Sequence, residues 1–281
     1  MADRRKKILV NDFEEETDAK LAEAAAKYGA RVYPKLRIAD VFDIDRSGLS
    51  KDEFSYALKA HFDFTVVRDG RAVFAVEFDE AHHDTDARAI YRDALKNAIC
   101  EKFGMPLLRI DAGFLRPIGR FSIVGWLTEM WFLYEEACEV QARGELPYDE
   151  VFDPRFILAM ADEPGISWPF DPFRPALVSL MRYRERGPIK PQTENLHAID
   201  PHGYCVSVML AHLRAGGAII GQARSRQFSF APCSSWELAE DLAVMDLVEK
   251  IRRYEHGQLA PDTGERVEWW KDRIGVWNRY K

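Results

Sequence analysis

Residues 73–84 read VFAVEFDEAHHD. The apolar run lasts to Val76, and five ionisable side chains then crowd into the next seven positions. A carboxylate seldom follows such a run into the interior without a partner. The segment therefore ends either in solvent or on a bound cation. Glu77 and Asp79 stand two apart, so on a strand both side chains leave from one face. The β run before it, Phe62–Val67, contains Asp63, and the turn between the two runs decides whether Asp63 joins them. A two-residue Asp69-Gly70 turn pairs Arg68 with Arg71 and sets Asp63 opposite Val76, on the wrong face. A three-residue loop with Gly70 left-handed, or an equivalent bulge, pairs Asp63 with Glu77 instead. Three carboxylates then share one patch, and like charges placed opposite one another on a sheet destabilise it unless a cation compensates.

The neighbouring pattern supplies the frame. Asp12–Tyr28 reads as a helix with Leu21, Ala25 and Tyr28 on one face and Gly29 as its stop. Glu14, seven residues before Leu21, falls on that same face. Arg31–Phe42 alternates as a strand, with Pro34 marking an edge or a bulge. Ala72–Asp79 is the next β run after Phe62–Val67. Thr85–Phe103 reads as a helix burying Ile90, Tyr91, Leu95, Ala98 and Ile99, and Leu107–Ile110 begins another strand. The expected unit is an α/β (α+β) core in the order αβββαβ, over residues 1–120. Residues 121–281 form a second α+β region. It opens with a Trp- and Phe-rich helix, Phe121–Arg143. A proline-rich crossover over 144–201 follows, expected to be irregular. A hairpin, Tyr204–Leu213 with Ala218–Phe230, then leads into a helix that the Ser234-x-x-Glu237 capping box starts and that runs to about Tyr254.

Composition narrows the classes. At 47% hydrophobic and 12% aromatic residues the chain has enough apolar matter for a real core. Its four cysteines form no CxxC pair, which suits reduced cytosolic thiols better than a zinc knuckle or a disulfide framework. Ile8–Val10 is too short for a signal peptide, and Glu129 interrupts the apolar run Phe121–Tyr134. A soluble cytoplasmic protein without a membrane span is expected. The net charge of −7 argues against a chain coated in nucleic acid. Residues 1–120 are nevertheless nearly balanced in sign, and Pro201–Trp236 holds no Asp or Glu. On Ala218–Phe230, alternation sets Gln222, Arg224, Arg226, Phe228 and Phe230 on one face. Arginines among aromatics suit phosphate contact and base stacking. Phenylalanines in a core with arginines at its rim fit the same pattern.

Asp43–Phe54 (DIDRSGLSKDEF) imitates an EF-hand loop, with Asp43, Asp45, Ser47 and Gly48 at the right offsets. The twelfth position, which should carry a bidentate carboxylate, is Phe54. The segment reads better as a capping box, Ser50-x-x-Glu53, opening a helix over Lys51–His61.

Glu14 on a first helix, Asp63 on one strand and Glu77-Phe-Asp79 on the next together resemble the PD-(D/E)XK, restriction-endonuclease-like nuclease superfamily. More narrowly, YPKLRIADVF, HFDFTVV, FAVEFDEAHH, YRDALKNAI and GMPLLRI resemble a bacterial family known only as a domain of unknown function, similar to the very-short-patch-repair endonucleases. The likeness spans about residues 12–112. It implies a metal-dependent endonuclease acting on nucleic acid, most of all DNA, with Mg²⁺ or Mn²⁺ held by Asp63 and Glu77 and joined by Asp79. Glu14 would point into the site, and His83 would match a histidine beyond the second acidic strand. The superfamily's lysine, two residues after the glutamate, is Asp79 here. Its task of orienting the attacking water passes to His83, to Lys96 on the following helix or to a second metal on Asp79. For Lys96, which shares the polar side of its helix with Arg92 and Asp93, a surface cluster is the simpler expectation. Arg224 and Arg226 are the candidate nucleic-acid contacts. The rival expectation is a scaffold that has lost the chemistry and binds nucleic acid or protein. A zinc hydrolase built on His82, His83 and Asp79 fits less well, because adjacent side chains on a strand diverge.

Overall fold

A computed structural model describes residues 8–9, 11–79, 87–119, 121–147, 149 and 172–279. His82 and His83 lie outside these residues. The architecture is mixed α/β, and the chain divides into two units. The first holds the described residues up to 149 together with 228–232; the second holds 172–227 and 233–279.

In the first unit, helix α1 is Asp12–Ala26, opened by the Asn11 side chain on the Glu14 amide. Its buried stripe is Glu14, Thr17, Leu21, Ala24 and Ala25, as the seven-residue spacing from Leu21 requires. Strand β1 is only Arg31–Pro34. The expected strand to Phe42 fails because Lys35 takes a left-handed φ of 55°, after which Ile38–Val41 is a single helical turn. Ser50 and Glu53 make both halves of a capping box, which starts helix α2, Lys51–Ala57, four residues shorter than expected. Strands β2 (Phe64–Arg68) and β3 (Arg71–Phe78) form a hairpin. Helix α3 (Ala87–Lys102) and strand β4 (Leu107–Ile110) complete a sheet in the order β1-β2-β3-β4, antiparallel except for the β3–β4 pair. Helix α4, Ile123–Ala142, is capped by Ser122 and buries Trp126, Leu127, Trp131 and Phe132. Among the described residues no helix is long and apolar enough to cross a membrane.

Two expectations about α3 change. Ile90 and Tyr91 are each 53% exposed, whereas Ala89, Lys96, Ile99 and Cys100 are buried. The helix is turned so that the stripe through residues 89, 93, 96 and 100 faces inward, and Lys96 is interior rather than part of a surface cluster.

The second unit is richer in regular structure than its prolines suggest. The described part of the supposed crossover contains helix α5 (Arg174–Arg186) and strand β5 (Ile189–Ile199). Proline at the start of α5 costs nothing, since the first helical N–H groups have no partner within the helix. Strand β5 shows a mostly polar face and breaks register between Ile189 and Thr193, around Pro191, which hides it from an alternation test. It pairs with β6 (Tyr204–Leu213), and β6 with β7 (Ala218–Arg226). Helix α6, Ser235–Glu255, starts on the expected Ser234–Glu237 capping box, and α7 (Gly264–Arg279) follows. Helices α5 and α6 cover one face of the sheet through Leu180, Ala243, Leu247 and Ile251; α7 covers the other through Val267, Trp270 and Ile274.

Gly221 on β7 lets that sheet approach α6. A Cβ there would overlap the Ala243 carbonyl oxygen and the Leu247 side chain. Gly221→Ala is therefore expected to destabilise the unit by about 1–3 kcal/mol, the usual cost of overpacking, read as a lower urea midpoint. An unchanged midpoint would mean the helix sits farther from the strand.

Candidate active site

The register that unites the carboxylates arises from a two-residue turn and a bulge together. Asp69 and Gly70 both have positive φ, 53° and 75°, as a type I′ turn requires, and Arg68 pairs with Arg71. Val67 then pairs with Ala72 but Val66 with Phe74, so Val73 is the extra residue of a β-bulge. Beyond it Phe64 pairs with Val76, and Asp63 lies beside Glu77. The Asp63 amide donates to Glu77 Oε1 at 3.2 Å, and the Phe78 amide donates to Asp63 Oδ2 at 3.0 Å. Of the two routes to this register, the chain uses the bulge.

Two lysines neutralise the acids. Lys35 Nζ donates to Glu14 Oε1 at 2.9 Å and to Asp63 Oδ1 at 2.7 Å. Lys96 Nζ, reaching in from α3, pairs with Glu77 Oε2 and donates to the His61 carbonyl at 3.1 Å. Both members of the Lys96–Glu77 pair are buried. Glu14, His61, Asp63, Glu77, Asp79 and Lys96 line one cleft of about 680 Å³.

Asp79 lines the same cleft but is tied to a different cation. Arg109, on β4 and in register with Glu77, is 2% exposed. Its Nη1 lies 3.1 Å from Asp79 Oδ1 and 3.5 Å from Asp93 Oδ1, and Nη2 donates to Asn97 Oδ1 at 2.9 Å. A guanidinium so buried needs this many acceptors.

Burial dominates the electrostatics. It pushes Glu77 up to about 7; the charges of Lys96 and Arg109 and the Lys96 hydrogen bond pull it down, and Asp63 raises it further. For Lys96, burial lowers the value, but the charges of Glu77, Tyr56 and Asp63 and the hydrogen bond to Glu77 together outweigh it, and the net shift is upward. Lys35 behaves likewise: burial pulls it down, and the hydrogen bonds and charges of Asp63 and Glu14 carry it above its ordinary value. Since Glu77 holds its proton more tightly in the folded than in the unfolded chain, its contribution to stability is fully present below about pH 4.5. It is lost as pH rises through about 7. The urea midpoint of the wild type should therefore fall between pH 5 and pH 8 by more than that of Glu77→Gln. Parallel profiles would show that Glu77 titrates normally.

Of the sequence candidates, Glu14, Asp63, Glu77 and Lys96 meet around the cleft, and Asp79 joins them through its wall. His83 lies outside the described residues. Arg224 and Arg226 belong to the second unit, their guanidinium carbons 4.5 and 5.5 Å from the Tyr204 ring centre. The expected continuation of that face through Phe228 and Phe230 fails, because the strand ends at Arg226 and both phenylalanines belong to the first unit, where Phe230 packs against Phe74 and Trp131 and the Leu107 amide donates to the Ser229 carbonyl. Sequence reasoning missed Lys35, Arg109 and the cleft position of His61. The one available signal was Arg109 itself, a cation inside the otherwise apolar strand LLRI.

Among the described residues no three His, Cys, Asp or Glu side chains gather closely enough to hold a metal ion. Asp63 and Glu77 form an adjacent pair, and one or two carboxylates completed by water are the usual protein share of a Mg²⁺ site. The donor chemistry thus fits a hard divalent cation.

Comparison with curated proteins and with solved structures gives no match. Residues 6–114, which carry the cleft, match the family described as a protein of unknown function, DUF2726.

Proposed function

We propose that the first unit is a divalent-metal-dependent nuclease that hydrolyses phosphodiester bonds, in DNA above all. The observation that carries this reading is the bulge at Val73, which brings Asp63 beside Glu77 and leaves Glu77 on a buried lysine. The sequence of elements α1, β1, β2, β3, α3, β4, interrupted by the Ile38–Val41 turn and α2 between β1 and β2, and the mixed sheet support a restriction-endonuclease-like core.

Asp63 and Glu77 would hold the cation, with Glu14 behind Asp63 across Lys35. Such an ion acidifies a bound water and offsets charge developing on the phosphate. The chain's own groups do the rest. Lys96 supplies the ammonium that the superfamily carries two residues after the glutamate. Two of its three N–H groups are spent on Glu77 and the His61 carbonyl. Lys96 also lines the cleft, so its third N–H would be the one to orient a water or a phosphate oxygen there, and the low-dielectric wall around it would strengthen that interaction. Arg109 holds Asp79 at the rim, so Asp79 supports the wall before it supports an ion.

A second reading is favoured by the same lysines: a scaffold whose ammonium groups have permanently replaced the cation and which binds nucleic acid or protein without cutting. Plasmid nicking with Mg²⁺, with Mn²⁺ and with EDTA separates the two when run beside calorimetric titration of Mn²⁺. Ion-dependent nicking together with a saturable Mn²⁺ signal supports the nuclease. Absence of both, in a folded protein, leaves the scaffold.

A further inference from the structure

We propose that Lys35 is a positioning residue that acts as the site's exchangeable internal counter-cation. It holds Glu14 and Asp63 in place when no divalent ion is bound and competes with that ion for Asp63. The proposal rests on the nuclease reading and concerns how its metal site is regulated.

Three observations converge. The first is backbone strain. Lys35 has a φ of 55°, a left-handed conformation that glycine adopts freely and that other residues adopt only against a steric penalty. Such a residue persists when its surroundings compensate, and strain of this kind gathers at functional sites. Here the Lys35 amide is anchored on the Asp63 carbonyl at 2.9 Å, directly after the last β1–β2 pair, Pro34 with Phe64. The second is the bridge itself. One ammonium joins carboxylates that come from α1 and from the residue just before β2, 2.9 and 2.7 Å away. Without it, Glu14 and Asp63 would face one another as like charges in a half-buried cleft.

The third is the contrast with Lys96. The Lys96 side chain is 8% exposed and paired to an equally buried Glu77, so moving it would strand a charge in the interior. The Lys35 side chain is 22% exposed and its carboxylate partners 11% and 19%. It therefore lies nearer to water than Lys96 does, and its withdrawal costs less than that of Lys96. Of the two ammonium groups, Lys35 is the one a cation can displace, and Oδ1 of Asp63 is the atom for which they compete.

The test uses the full chain and Mn²⁺ alone. Lys35→Met removes the competitor, and Lys35→Gly removes it while also relieving the strained φ, which guards against a variant that fails to fold. Both are expected to bind Mn²⁺ at least tenfold more tightly than the wild type at pH 8. Lys35→Met should melt lower than the wild type in EDTA and recover with Mn²⁺, whereas Lys35→Arg should keep near-wild-type affinity. A purely structural lysine would weaken Mn²⁺ binding or leave it unchanged, and either result overturns the proposal. If the wild type binds Mn²⁺ and the variants match it, only the role of Lys35 falls. If neither wild type nor variants bind, the nuclease reading falls with it.

Discussion

Glu77→Ala is expected to abolish ion-dependent nicking and saturable Mn²⁺ binding, and to cost about 3–5 kcal/mol of stability at pH 8, the usual penalty for stranding one member of a buried ion pair. The cause is Lys96. Its ammonium is enclosed by Glu77, the His61 carbonyl and the Phe62 ring, and loss of the carboxylate leaves it charged in a low-dielectric wall. The stability arm is separable from the functional one. Lys96→Met alone leaves Glu77 buried, but that group can take a proton near neutral pH, so its cost is expected to be smaller. The double variant Glu77→Ala, Lys96→Met should recover part of the stability while remaining inactive. Urea unfolding of the four proteins closes the cycle, and the coupling between the two sites should be in the range of about 1–3 kcal/mol. Coupling near zero would mean that the pair is solvated.

The second large effect is expected at Arg109. Its guanidinium is enclosed by Asp79, Asp93 and Asn97, and Arg109→Ala would leave two acids facing a cavity beneath the cleft. A loss of about 3–5 kcal/mol is expected, enough to unfold a marginal domain near body temperature. The same geometry distinguishes the roles of the two strand-end acids. Asp79→Asn should lower stability while changing Mn²⁺ affinity only a few-fold; Asp63→Asn should weaken Mn²⁺ binding at least tenfold with a smaller effect on folding. Strong loss of Mn²⁺ binding in Asp79→Asn would make Asp79 a ligand and Arg109 its support.

What the sequence determined by itself was local. A seven-residue spacing set Glu14 on the buried stripe of α1, and the capping boxes at Ser50 and Ser234 start helices where their side chains bond the first free amides. Strand β4 coincides with the apolar run Leu107–Ile110, and the order of elements in the first unit followed from periodicity and turn residues. Each of these depends on contacts within a few residues, which a linear pattern records. The tertiary structure alone decided the rest. A bulge at Val73, set by how β2 and β3 bury their faces, chose the register that joins Asp63 to Glu77. Packing against the sheet rotated α3 until Lys96 faced inward. Lys35 and Lys96 meet partners 28 and 19 residues away, and at such separations the chain carries no period to read. Strand β5 stayed hidden because Pro191 and a solvated face erased its alternation, while pairing with β6 supplied the energy that its own sequence did not advertise.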